Sequence, residues 1–138
     1  MNTRKPLKTG AWIGIMMAIL ASCRTAPLYN VTDSAVPPVI SGKTLTLDNV
    51  TKAIVDAGMG LGWEMQVVRP GQITGTLHLR SHTAIVDIPY TTASYSIVYN
   101  SSQDLNYNPT QQTIHKNYNG WIQNLDKAIR GRLSAFGY

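Results

Sequence analysis

The spacing of apolar residues changes period twice along this chain, which restricts it to a mixed α+β fold. Between Thr44 and Leu61, Leu47, Val50, Ile54, Ala57 and Leu61 recur at three- and four-residue intervals. That spacing gathers side chains on one face of a helix. From Trp63 to Asn100 the apolar residues recur every second position instead, as in half-buried strands. Helical spacing then returns, with Ile114, Tyr118, Trp121, Leu125, Ile129 and Leu133 forming one stripe. Each element carries one apolar face and must bury it against another.

The middle stretch divides into four strands: Trp63–Val68, Gln72–Arg80, Thr83–Tyr90 and Ala93–Asn100. Arg69-Pro70-Gly71, Ser81-His82 and Thr91-Thr92 are the turns between them. With two-residue loops at the last two, Leu77 faces Val86, Val86 faces Ile97 and Ile88 faces Tyr95. Both pairings keep these apolar residues on one face, as side-chain period two demands. Pro89 cannot donate to a ladder, so it belongs at a strand end or a bulge. Thr46 or Asp48 can cap the first helix and Thr113 the second, and Gly58, Gly60 and Gly62 end the first. The expected architecture is a two-layer α+β sandwich: helix, four-stranded antiparallel β-meander, helix, with both helices on one face of the sheet.

In that meander Ala93–Tyr99 lies at an edge and carries neither charge nor proline. Such edges recruit another strand unless they are covered. Tyr95, Ile97, Val98 and Tyr99 are therefore the candidate interaction edge, open to a second copy of the chain or to a protein partner. The loop from Ser101 to Thr113 could instead shield it.

The polar residues offer little chemistry. His78, Asp87, Ser94 and Ser96 fall on the wet face, but a catalytic triad needs a presented nucleophile, a base and an oxyanion hole. An open sheet face supplies none of these, so no catalytic residue is expected. His78 and His82 flank a turn while His115 is assigned to a distant helix, short of the convergent set zinc needs; no metal site is expected. The glycines at 58, 60 and 62 precede a strand and do not open a helix, so no phosphate-cradling loop and no cofactor is expected. Tyr107 and Tyr118, with Asn106, Asn108, Asn117 and Asn119, either form a binding surface or cover the core edge and make turns; the second reading is preferred.

The first 23 residues are of another kind. MNTRKPLK is basic, Thr9–Ser22 is uncharged and apolar, and Leu20-Ala21-Ser22-Cys23 follows. A basic start, a short apolar run and small residues before a cut describe an export signal, and the run is too short to span a ~30 Å bilayer core. The last four residues resemble the lipobox of bacterial lipoproteins, and the plan of the chain is similar to small Gram-negative envelope lipoproteins of unknown function. The resemblance implies cleavage before Cys23 and acylation of Cys23, giving a membrane anchor. Arg24 in place of an aspartate then implies the outer membrane, facing the periplasm. Cys23 is the only cysteine, so once acylated it leaves no thiol for a disulfide.

Without Arg4, Lys5 and Lys8, nine basic residues face seven acidic ones, a net charge of +2. No nucleic-acid partner is expected from so small an excess. The expected division is 1–22 signal peptide, 23–43 lipidated cysteine and flexible tether, and 44–138 a single α+β domain. The tether reading rests on three prolines and many small polar residues in 24–43. The expected function is a non-catalytic binding or assembly module of the cell envelope. The alternatives are a small envelope hydrolase using His78 and Asp87, and a structural protein that oligomerises.

Overall fold

The computed structural model describes residues 24–39 and 42–136. Residues 1–23, on which the expected signal peptide and lipid anchor rest, lie outside the described residues. Helix α1 runs Leu47–Gly60 and helix α2 Lys116–Ala135. Thr46 caps α1: its Oγ1 accepts from the Asn49 N–H at 3.2 Å, and Asn49 Oδ1 accepts from the Thr46 N–H at 3.1 Å. Reciprocal satisfaction of this kind fixes where a helix starts. At the other end the Leu61 and Trp63 N–H groups both donate to the Gly58 carbonyl. A side chain on Gly58 would collide with Met65, so the missing Cβ is what lets the helix close down on the next strand.

The expected four strands are present as β3 Glu64–Arg69, β4 Gln72–Leu79, β5 His82–Pro89 and β6 Ser94–Gln103, joined as an antiparallel meander. Pro89 ends β5. The registers differ from expectation by two residues. The β4–β5 turn is Arg80-Ser81, with Leu79 opposite His82 and Leu77 opposite Ala84. Arg80 takes φ +56, as the first turn position of a mirror-image hairpin requires. At the other turn Tyr90 faces Tyr95 and Val86 faces Tyr99. A slip of two preserves which face each residue occupies, so the inward set is unchanged.

Residues 24–43 are not simply a tether. They hold β1 Thr25–Pro27, paired with β7 Thr113–His115, and β2 Val31–Ala35, paired antiparallel with β6. The main sheet is therefore five-stranded, in the order β2-β6-β5-β4-β3. Val31 is buried, and Leu28, Val36 and Val39 pack against the core. Asn119 clamps the segment from α2, donating to the Pro27 carbonyl at 2.8 Å and accepting from the Tyr29 N–H at 3.0 Å. Composition pointed to a tether because prolines and small polar residues abound. The β1–β7 pair and the asparagine clamp that order the segment lie some 90 positions away in sequence, and the β2–β6 pair some 60.

Two further assignments change with it. The strand carrying Tyr95, Ile97, Val98 and Tyr99 is interior to the sheet, with β2 on one side and β5 on the other. Its edge is covered by neither a second copy nor the 101–113 loop, but by the chain's own N-terminal strand. The α2 stripe also begins later than expected. Ile114 lies in β7, and His115, not Thr113, is the cap, with its Nδ1 accepting from the Asn117 N–H at 3.2 Å.

Both helices lie on the apolar face of the sheet. Val50, Ile54, Ile122 and Ile129 from the helices meet Ile73, Val86, Ile88 and Ile97 from the strands, all essentially inaccessible to solvent. Among the described residues no helix is long and apolar enough to cross a membrane.

Candidate functional site

The wet face separates the residues that chemistry would need together. Asp87 is opposite Thr74 and accepts from its Oγ1 at 3.2 Å and from Asn100 Nδ2 at 2.8 Å. His78 is opposite Thr83, with its Nδ1 3.1 Å from Thr83 Oγ1. Four strand positions separate Thr74 from His78, or about 13 Å. His78 and Asp87 thus make no dyad. Ser96 is not on an open surface either, because β2 bulges over it. Asp33, at φ +47, loses its ladder partner and donates its N–H to Ser96 Oγ at 3.0 Å. Ser94 lies at the β2 junction, opposite Ala35.

With β6 enclosed, β3 is the meander strand that remains at an edge of the sheet. Val67 and Val68 are exposed there, at 46% and 54%, and among the described residues no strand pairs with the side of β3 away from β4. Glu64 and Arg69 bracket this edge. The alternation that marks β3 as a strand is readable in the sequence, and a four-strand meander leaves β3 at an edge whether or not β2 is present.

His115 is not remote from the other histidines. Its ring centroid lies 6.0 Å from that of His82, and the Trp121 ring lies 6.3 Å from His82. His82 Nδ1 is 2.7 Å from the Asp104 carbonyl and His115 Nδ1 serves the α2 cap, so both rings are held by the backbone. Among the described residues no set of three His, Cys, Asp or Glu side chains converges as a metal site would require.

The aromatic residues divide as the core reading requires. Tyr118 is fully buried and meets Tyr99 edge-on at 5.8 Å, while Tyr99 and Tyr107 rings lie 4.2 Å apart. Asn108 Oδ1 accepts from the Thr110 and Gln111 N–H groups, making a turn. Shallow grooves also mark the surface. One, of about 380 Å³, runs between Ala57, Gly60 and Leu61 of the α1 end and Ala128, Gly131 and Arg132 of α2. It carries no buried polar side chain that would orient a ligand.

One polar constellation escaped the sequence reading. Asp126, 2% exposed, points into the core between α2 and β6. It accepts from the Tyr95 hydroxyl at 2.6 Å and from the Arg130 guanidinium. The signal was the Asp126/Arg130 spacing of four on a helix, next to a stripe residue, Leu125. Its inward direction becomes visible only once Tyr95 is known to face it. Burial, followed by the neighbouring Asp126 carboxylate, pushes the Tyr95 phenol well above its usual range. Burial does the same to Tyr118, whose hydroxyl has no partner among the described residues.

These phenols set an alkaline limit. Their raised folded-state values mean that stability is fully present below the unfolded tyrosine value of about 10 and falls as pH climbs through and beyond it. Each tyrosine that stays protonated only in the native state lowers stability by about 1.4 kcal/mol per pH unit. Urea unfolding between pH 8 and 11 should show this decline above pH 10, with tyrosinate absorbance lagging until the protein unfolds. A flat profile would remove the buried phenols as its cause. Compared with family models, curated proteins and solved structures, the chain matches none, so its reading rests on its own residues.

Proposed function

We propose that the protein is a lipid-anchored envelope lipoprotein whose domain is a non-catalytic binding or assembly module, working through the free β3 edge. The observation that carries it is the run of a basic start, an apolar stretch and Leu20-Ala21-Ser22-Cys23. Acylation by more than one chain supports a durable anchor, since each buried CH₂ contributes about 0.8 kcal/mol and a single chain holds only marginally. Arg24 after the cysteine favours the outer membrane, with the domain facing the periplasm. The edge Glu64–Arg69, exposing Val67 and Val68, supports strand addition by a second copy or another envelope protein.

The test has two arms. Wild-type protein should lack residues 1–22, carry the mass of acyl chains and float with membranes. Cys23→Ser should keep its leader or be released. Identical processing and fractionation of the two would sink the anchor. In the second arm, crosslinking through β3 in intact cells should yield a discrete adduct that V67K/V68K abolishes, because edge lysines block pairing. An unchanged adduct would remove β3 as the binding edge.

A further inference from the structure

We infer that one end of the domain lies directly on an anionic phospholipid surface, seated there by the shortness of its connection to Cys23. This rests on the lipid-anchor reading and specifies which surface the anchor presents. A tether of about 20 flexible residues would let the domain roam some 25 Å from its attachment. The structure leaves no such tether. β1 begins at Thr25, and the Arg24 carbonyl already accepts from the Lys116 N–H at 2.9 Å. One residue, Arg24, separates Cys23 from the ordered strand, and consecutive Cα atoms are about 3.8 Å apart. An acylated Cys23 would therefore hold this end within headgroup reach and set the orientation of everything else.

The residues at that end suit such a surface. Thr25 pairs with His115, whose ring lies 6.0 Å from His82. His82 closes the β4–β5 hairpin opposite Leu79, across the Arg80-Ser81 turn. Around the attachment point stand three exposed cations, Arg24, Lys116 and Arg80, and a hairpin tip whose Leu79 is 45% exposed. The acids on this side are Asp104, beside His82, and Glu64, whose partner Thr76 is three positions back from the tip. A hairpin tip that exposes one leucine, at an end carrying these cations, inserts the leucine at the acyl boundary while the cations meet phosphates. The opposite end carries the Tyr90–Ser94 connection. It lies about 25 Å away along the eight residues of β5 and stays in the aqueous phase.

The test uses full-length lipidated protein, purified from membranes and reconstituted into vesicles containing phosphatidylglycerol and a lipid brominated on its acyl chains. With Cys23 blocked as a thioether, Leu79→Cys and Thr92→Cys each offer a single thiol for a fluorophore. Mass of the processed N-terminus and flotation are measured on the same samples. The expected result is several-fold stronger quenching at position 79 than at 92. Neutralising Arg80 and Lys116 (R80N, K116Q) should lower the docked-to-free ratio about 25-fold, fivefold for each cation, and raised salt should act in the same direction. Acylated, floating protein with equal quenching at both positions would overturn the docking while leaving the anchor intact. Stronger quenching at 92 would overturn the orientation. Quenching at 79 that ignores both charge and salt would overturn the role of anionic headgroups. Protein that lacks acyl mass and does not float would overturn the anchor reading and this inference with it.

Discussion

A chain shortened to begin at Thr44 should fail to remain a soluble monomer. The truncation removes β1 and β2 and so exposes the whole outer side of β6, including the ladder positions now taken by Val31, Ser34 and Ala35. It also strips Val31 and Leu28 from the core and leaves Asn119 without its two backbone partners. A freed edge that contains Tyr95, Ser96, Ile97 and Val98, with no charge to deter pairing, is an association site. Light scattering after size exclusion should report oligomers or aggregate where the chain retaining residues 24–43 gives one species. Val31→Asp is the milder probe. Placing a carboxylate where the side chain is 7% exposed should cost about 2–4 kcal/mol in urea unfolding. A truncated chain that is monomeric and unfolds at the same denaturant concentration would show that β2 is dispensable.

The second large effect is expected at Asp126. Its carboxylate fills a buried position by accepting from Tyr95 and Arg130. Asp126→Ala strands a buried phenolic hydroxyl and opens a cavity, so a loss of about 2–4 kcal/mol is expected. Tyr95→Phe alone removes the hydroxyl but leaves the carboxylate with Arg130, for a loss of about 1–2 kcal/mol. The double variant should lose less than the sum, because each single change breaks the same bond. Arg130 is largely exposed, so Arg130→Ala should cost less than about 1 kcal/mol. Additive losses in the Asp126/Tyr95 cycle would mean that the pair is not coupled.

The parts of the fold that were legible in the sequence are those set by local periodicity. The two helices, the four-strand meander and the inward faces follow from spacing, because a side chain's direction is fixed by its position in a regular element. The α1 cap is narrowed by its side chains to Thr46 or Asp48, and the structure places it at Thr46. What escaped was set by distant partners. Thr25–Pro27 and Val31–Ala35 are too short and too polar to announce themselves as strands, and only β7 and β6 give their backbone groups somewhere to bond. The mistaken interaction edge followed from that one omission, since β6 is an edge only if β2 is not there. The two-residue register slips were equally invisible: hydrophobic alternation cannot distinguish registers that differ by a full period. Asp126 looked like an ordinary charged position because its partner comes from a strand 31 positions earlier.

The seam between β1 and β7 also bears on the order in which the molecule can be made. Thr25 pairs with His115, and Val31 with Ile97, so the earliest ordered residues wait for some of the latest. Such long-range pairing must meet its loop-closure entropy before it is rewarded, which slows folding. Until residues 113–119 are available, β1 has no strand to pair with and the Asn119 clamp is missing, so the N-terminal segment can be held only by β2 on β6. A chain threaded through a membrane N-terminus first would thus be unable to close the β1–β7 seam until its far end arrived.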